Sequence, residues 1–175
     1  MNWDALGAIG EIAGALGVIL TLLYFARQIN ESNRATRQSA TQEIQNQIAQ
    51  WVYKTNSSTE LTDLWVRGNL NDNSLTLHEV IQFRATFSQL LNLWERAHSL
   101  RKEGQFDEKY WQALVLSRKN FLASHGFRSF WRDCADRYDD EYRMIIELEI
   151  KTANAEWSPL GLDLNNFEKT FEPID

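Results

Sequence analysis

The chain has 175 residues, room for one domain with a short appendage and too few for two full-sized domains. Apolar residues make up 43% and charged residues 24%, which excludes wholesale disorder, and eight Gly with two Pro argue against collagen and turn-dense β architectures. The lone Cys134 excludes an intramolecular disulfide framework, and 18 basic against 24 acidic residues carry no bulk signature of a nucleic-acid binder.

Residues 5–26 read ALGAIGEIAGALGVILTLLYFA, with Glu11 the one charge. As a helix this run rises about 33 Å, enough for a bilayer core of about 30 Å. Trp3 and Tyr24 stand where amphipathic rings settle at headgroup depth. The start, Met-Asn-Trp-Asp, lacks the basic n-region of a signal peptide, and no small-x-small cleavage site follows. The run is therefore expected to be an uncleaved membrane anchor, 1–26. Arg27, Arg34 and Arg37 follow it and no base precedes it. The positive-inside rule then puts the N-terminus outside and the rest in the cytoplasm.

Within this run Gly7, Gly10, Gly14 and Gly17 fall, with Glu11 and Thr21, on one arc of about 120°. Glycine weakens a helix, so four on one face imply close backbone approach to another helix, the small-xxx-small pattern. Glu11 is costly against lipid and has three readings: a side chain snorkelling to the outer interface, a carboxylate ring about a symmetric axis, or a contact to a different protein.

Residues 27–54 form a polar neck without Gly or Pro, in which Ile44, Ile48, Trp51 and Val52 repeat on one helical face. A helical domain is expected over 55–152. Ser57-Ser58-Thr59-Glu60 reads as a capping box for a helix stopping at Gly68. Thr76-Leu77-His78-Glu79 reads as a second, opening a helix to Lys102 that bears Phe83, Phe87, Leu90, Leu91, Trp94 and Ala97 and stops at Gly104. Asp107 caps a third, with Trp111, Leu114 and Leu122, stopping at Gly126. Phe127, Phe130 and Trp131 lie on a shorter segment, and Asp139 or Asp140 starts the helix of Tyr142 and Ile146. The acidic tail, 153–175, is expected to be either disordered or strapped over a neighbour, and its anchors Trp157, Leu160, Leu162 and Phe167 favour docking.

One spacing looks catalytic. Arg118 and His125, seven apart, fit the R-x4-6-H pattern of HEPN ribonucleases and would share a helix face. In a chain with twelve Arg such a spacing arises readily by chance. His125 before Gly126 also reads as an imidazolium complementing a helix C-terminus. His78, His98 and His125 lack zinc-ligand spacing, so no metal and no cofactor are implied.

The opening, Trp3-Asp4-Ala5 through Gly7, Gly10-Glu11 and Gly14 to Tyr24 and Gln28-Ile29, resembles a large family of bacterial single-span proteins with no activity assigned to it as a whole. The later pattern is similar too: Phe87, Trp94-Glu95, Gly104, Asp107, Trp111, Arg118, Arg128 and Trp131. More remotely, the layout resembles a CRISPR-associated, HEPN-like membrane pore protein. That resemblance would make 5–26 the pore and put Arg118 and His125 at HEPN positions.

The expectation is thus an all-α chain: one transmembrane helix running into a cytoplasmic helical bundle. Its expected partners are itself and the bilayer, with another membrane protein as an alternative and nucleic acid not indicated. The expected function is a homo-oligomeric pore-like or scaffold protein with Glu11 toward the axis. Two alternatives stay open, an accessory subunit of a membrane complex and a tethered ribonuclease, the one enzymatic candidate.

Overall fold

A computed structural model describes residues 3–70 and 74–153; the side chains of 3–10 and of residue 13 lie outside the description. Among the described residues the chain is all-α, with six helices and one 3-10 turn. They are α1 (Trp3–Thr55), α2 (Thr59–Leu70), α3 (Leu77–Lys102), α4 (Glu108–Ala123), α5 (His125–Cys134) and α6 (Asp140–Thr152), the 3-10 turn (Ala135–Arg137) joining the last two.

The expected anchor and neck are one helix, α1. Yet among the described residues no helix is long and apolar enough to cross a membrane. Between Glu11 and Arg27 the apolar stretch, 12–26, rises only about 22 Å, short of a hydrocarbon core of about 30 Å. Arg27, paired with Glu31 at 3.0 Å, ends it on one side, and Glu11 interrupts it on the other. The transmembrane element of the expected fold is accordingly withdrawn.

From residue 41 onward α1 joins the bundle. Thr41, Ile44, Trp51 and Thr55 are buried and Ile48 packs beside them, a stripe spaced 3, 4, 3, 4. Val52, expected on this face, is 46% exposed, because the stripe runs through Thr55 instead. Three long-range bonds pin this half: Arg37 Nε donates to Gly104 O (3.0 Å), Asp107 N to Thr41 Oγ1 (3.0 Å) and Trp51 Nε1 to Thr86 O (2.9 Å). Thr55, Asn56 and Ser57 side chains donate to the last carbonyls of α1, so the helix ends without glycine.

Ser58, rather than Ser57, caps α2, its hydroxyl accepting from Leu61 N at 3.3 Å. The box at α3 forms fully: Thr76 Oγ1 accepts from Glu79 N and Glu79 Oε2 accepts from Thr76 N. Arg67 reaches the same carboxylate at 2.6 Å and ties α2 to the start of α3. The Arg67 bond, then those from Thr76, hold the Glu79 carboxyl down to about 2.

Two glycines expected to end helices do something else. Gly68 lies inside α2 and Gly126 inside α5. A methyl added at Gly126 would meet the Gly68 carbonyl oxygen well inside contact distance, and one at Gly68 would strike the Phe83 ring. These glycines let α2 and α5 cross backbone to backbone. Gly104, by contrast, terminates its helix as expected, with φ +71° after Glu103.

The core is aromatic. Trp65 packs on Trp51 (5.1 Å between centroids) and Phe87 (4.7 Å), and Phe87 continues to Phe127 and Phe130. Phe83, Leu90, Leu91, Trp94 and Ala97 of α3 are all buried, so α3 is the element around which the others gather.

Candidate functional site

Two places on the molecule leave chemistry unaccounted for by the bundle: the projecting half of α1, and a polar cluster buried between α3, α4 and α6.

The projecting half runs from Glu11 to Arg34, every described side chain in it exposed. Ile12, Leu16, Val18, Ile19, Leu20, Leu22, Leu23, Tyr24 and Phe25 lie open at 52% or more. At 100° per residue these nine side chains spread over about 260° of the circumference, leaving a gap of about 100° that Gly14, Gly17 and Thr21 occupy. An apolar face this wide exceeds the single stripe of a surface helix and calls for cover. Gly14 and Gly17 have nothing within 4 Å of an added methyl, so their notch is empty in the single chain. Gly7 and Gly10 lie outside the described side chains. Glu11 is exposed, and the Thr21 hydroxyl donates to its own helix at Gly17 O (2.8 Å). That bond satisfies Thr21 internally and leaves Glu11 as the polar group of the arc that still needs water or a partner.

The second place explains Arg118. Its side chain is completely buried in α4 and forks onto Glu149 of α6. Nε donates to one carboxylate oxygen at 2.6 Å and Nη2 to the other. The guanidinium also lies over the Trp111 ring, 5.2 Å from its centroid. His98 of α3 stands 5.9 Å from the Trp111 ring and 5.7 Å from that of Tyr142. Two buried polar atoms here have no protein partner, Arg118 Nη1 and the Tyr142 hydroxyl. Burial pushes the Tyr142 phenol up, against the lowering influence of the Arg118 charge. Burial likewise holds His98 below the usual imidazole value; Arg118, Lys102 and Arg101 push the same way, while Glu141 opposes them.

The structure does not bring Arg118 and His125 onto one helix face. Ser124 breaks the path, with ψ 145°, ending α4 and capping α5 through its hydroxyl, which accepts from Phe127 N at 3.1 Å. His125 is exposed as the first residue of α5, not the last of a helix. There an imidazolium opposes the helix dipole instead of complementing it. Arg118 spends two of its nitrogens on Glu149, with 0% side-chain exposure. One signal for this was present in the sequence: Trp111, Leu114, Arg118 and Leu122 are spaced 3, 4, 4, which sets Arg118 in the buried stripe. Its partner Glu149, 31 residues on, carries no such mark.

Among the described residues no group of His, Cys, Asp and Glu could hold a metal ion. Cys134 is buried, and burial pushes its thiol up to about 11, so little thiolate exists at neutral pH. No protein-family model, no curated protein and no solved structure matches the chain.

Proposed function

We propose that the protein is a self-assembling scaffold in which copies join through the projecting half of α1. The observation that carries this reading is the exposure of nine large apolar side chains between Ile12 and Phe25, over about 260° of a segment whose described side chains are all exposed. A two-stranded contact covers a single seam of a helix, whereas the large apolar side chains here span about 260° of the circumference. More than one neighbour is required to cover it, so an assembly of three or more copies fits better than a dimer. Gly14 and Gly17 set the side of closest approach, and Glu11, on the same arc, turns toward the shared axis, where water reaches it. The bundle at the far end of α1 is the cargo this arm would gather.

Cysteine cross-linking tests the reading. The native Cys134 is buried and does not interfere. Gly14→Cys should form disulfide-linked pairs rapidly under mild oxidation. Leu77→Cys, 72% exposed on the bundle, should not. Equal cross-linking at the two positions, or none at Gly14→Cys, would overturn the assembly.

A further inference from the structure

We propose that the seam between α1, α2 and α3 is a binding site for a small aromatic anion, a planar ring carrying a carboxylate or comparable charge. This is independent of the assembly reading, because the site lies at the opposite end of α1 from the projecting segment.

The observations come from the walls of one cavity. It holds about 150 Å³, between the last turns of α1, the start of α2 and the middle of α3. An apolar cavity of about that size accommodates one benzene ring. Trp51, Trp65, Phe83 and Leu64 supply the interior walls. Trp51 and Trp65 meet edge to face at 81°, and Trp65 stands 5.5 Å from Phe83, so the rings form a corner with aromatic faces and edges on two sides.

The indole N–H and the two threonine hydroxyls of the interior are already engaged. The Trp51 indole N–H donates to Thr86 O at 2.9 Å, which fixes the ring. The Thr55 hydroxyl donates back to Trp51 O and Val52 O at 3.0 Å each. The Thr86 hydroxyl donates to Gln82 O at 2.8 Å. With these donors used, the inner end suits a ring rather than a sugar or a chain of hydroxyls.

The mouth is different. A second hollow of about 420 Å³ continues along the α1–α3 groove and shares Trp51, Lys54 and Gln89 with the first. Among the described residues Lys54 is the one charged residue lining either hollow, and no described carboxylate lines them to neutralise it. Gln47, Gln50 and Asn92 line the outer groove. An occupant with its ring in the corner therefore meets one cation at the rim, with side-chain amides beyond. Those amides can serve whatever polar extension the ligand bears.

Calorimetric titration of the full chain with three probes tests the assignment. Phenylacetate carries ring and charge, toluene the ring alone, and acetate the charge alone. The expected order is saturable one-to-one binding of phenylacetate, binding of toluene weaker by about five-fold, and no binding of acetate over the same range. The five-fold step is what an exposed ion pair of about 1 kcal/mol supplies. Lys54→Gln, at an exposed position, should erase the advantage of phenylacetate and leave toluene unchanged. Ala85→Phe, at the exposed mouth, should abolish both while helicity and melting temperature stay at wild-type values. Failure of phenylacetate to saturate would overturn the proposal. So would equal binding of acetate, or a Lys54→Gln or Ala85→Phe protein that binds phenylacetate as the wild type does.

Discussion

In α1, Leu16 is 56% exposed and Leu20 66%, while Ile44, further along the same helix, is at 0%. Both halves are helical, and neither contains a residue that would stop the other. The difference lies in pattern. From Thr41 to Thr55 the buried positions recur at alternating threes and fours, one stripe that a single bundle face can cover. From Ile12 to Phe25 large apolar residues take up about 260° of the helix, more than one face of the bundle can wrap. The glycines repeat the contrast: Gly68 and Gly126 sit where a methyl has no room, Gly14 and Gly17 where it meets nothing. One pair marks a contact made within the chain, the other a surface left bare among the described residues.

The largest effects are expected from breaking the bundle side of this contrast. Glu149→Gln leaves the Arg118 charge buried without its counter-ion and should cost about 3 kcal/mol or more in chemical denaturation. Arg118→Met, which removes the charge and keeps much of the volume, leaves a carboxylate only 17% exposed and should cost somewhat less. An Arg118→Met protein as stable as wild type would show that the pair does not hold α4 to α6.

Gly126→Ala should cost about 2–3 kcal/mol, the upper part of the range for overpacking, because backbone opposes backbone at that crossing. Gly14→Ile is the matched probe in the projecting half. It should leave the unfolding of the bundle unchanged yet weaken self-association, since nothing within the chain meets it. Leu16→Ile, which keeps the volume on another side of the helix, should change association little. Equal destabilisation of the bundle by Gly126→Ala and Gly14→Ile would erase the distinction between the two pairs.

The smallest effect concerns pH. Burial holds His98 below its unfolded value of about 6.5, so below that pH the unfolded chain binds the extra proton first. The stability this group contributes is complete above about 6.5 and is lost as pH falls through its folded value. Glu79, held to about 2, and Glu60 and Glu108, also lowered, act in a separate window, losing their contribution as pH falls below about 4.5. His98→Gln should therefore flatten the stability profile between about pH 7 and 5 and leave the acid limb below about 4.5 in place. An unchanged upper slope would remove His98 from the account.

Local rules carried much of the fold. The all-α class, the box at Thr76, the cap at Asp107, the stop at Gly104 and the buried face of α3 all follow from spacing and capping chemistry. What spacing could not show was which partner a residue would meet. Gly68 and Gly126 look like helix stops because glycine serves both as terminator and as close-contact residue; only the crossing of α2 and α5 decides between them. Ser124 ends one helix and caps the next within a single residue, so the apparent continuity from Arg118 to His125 was false. The same limit applies to residues 5–26. Their apolar character was plain, but among the described residues they belong to a helix that falls short of a membrane span. Arg118 illustrates the converse, since its place in a 3, 4, 4 stripe was visible while Glu149 was not.

The central claim is that the apolar half of α1 is covered by other copies of the chain. The most direct test is molar mass by light scattering over a range of concentrations, comparing wild type with Leu16→Lys/Leu20→Lys/Leu23→Lys, three exposed positions away from the bundle. The wild type should run at three or more times the monomer mass, and the triple variant at the monomer mass with unchanged bundle unfolding. A monomeric wild type, or a triple variant that assembles as the wild type does, would contradict the account.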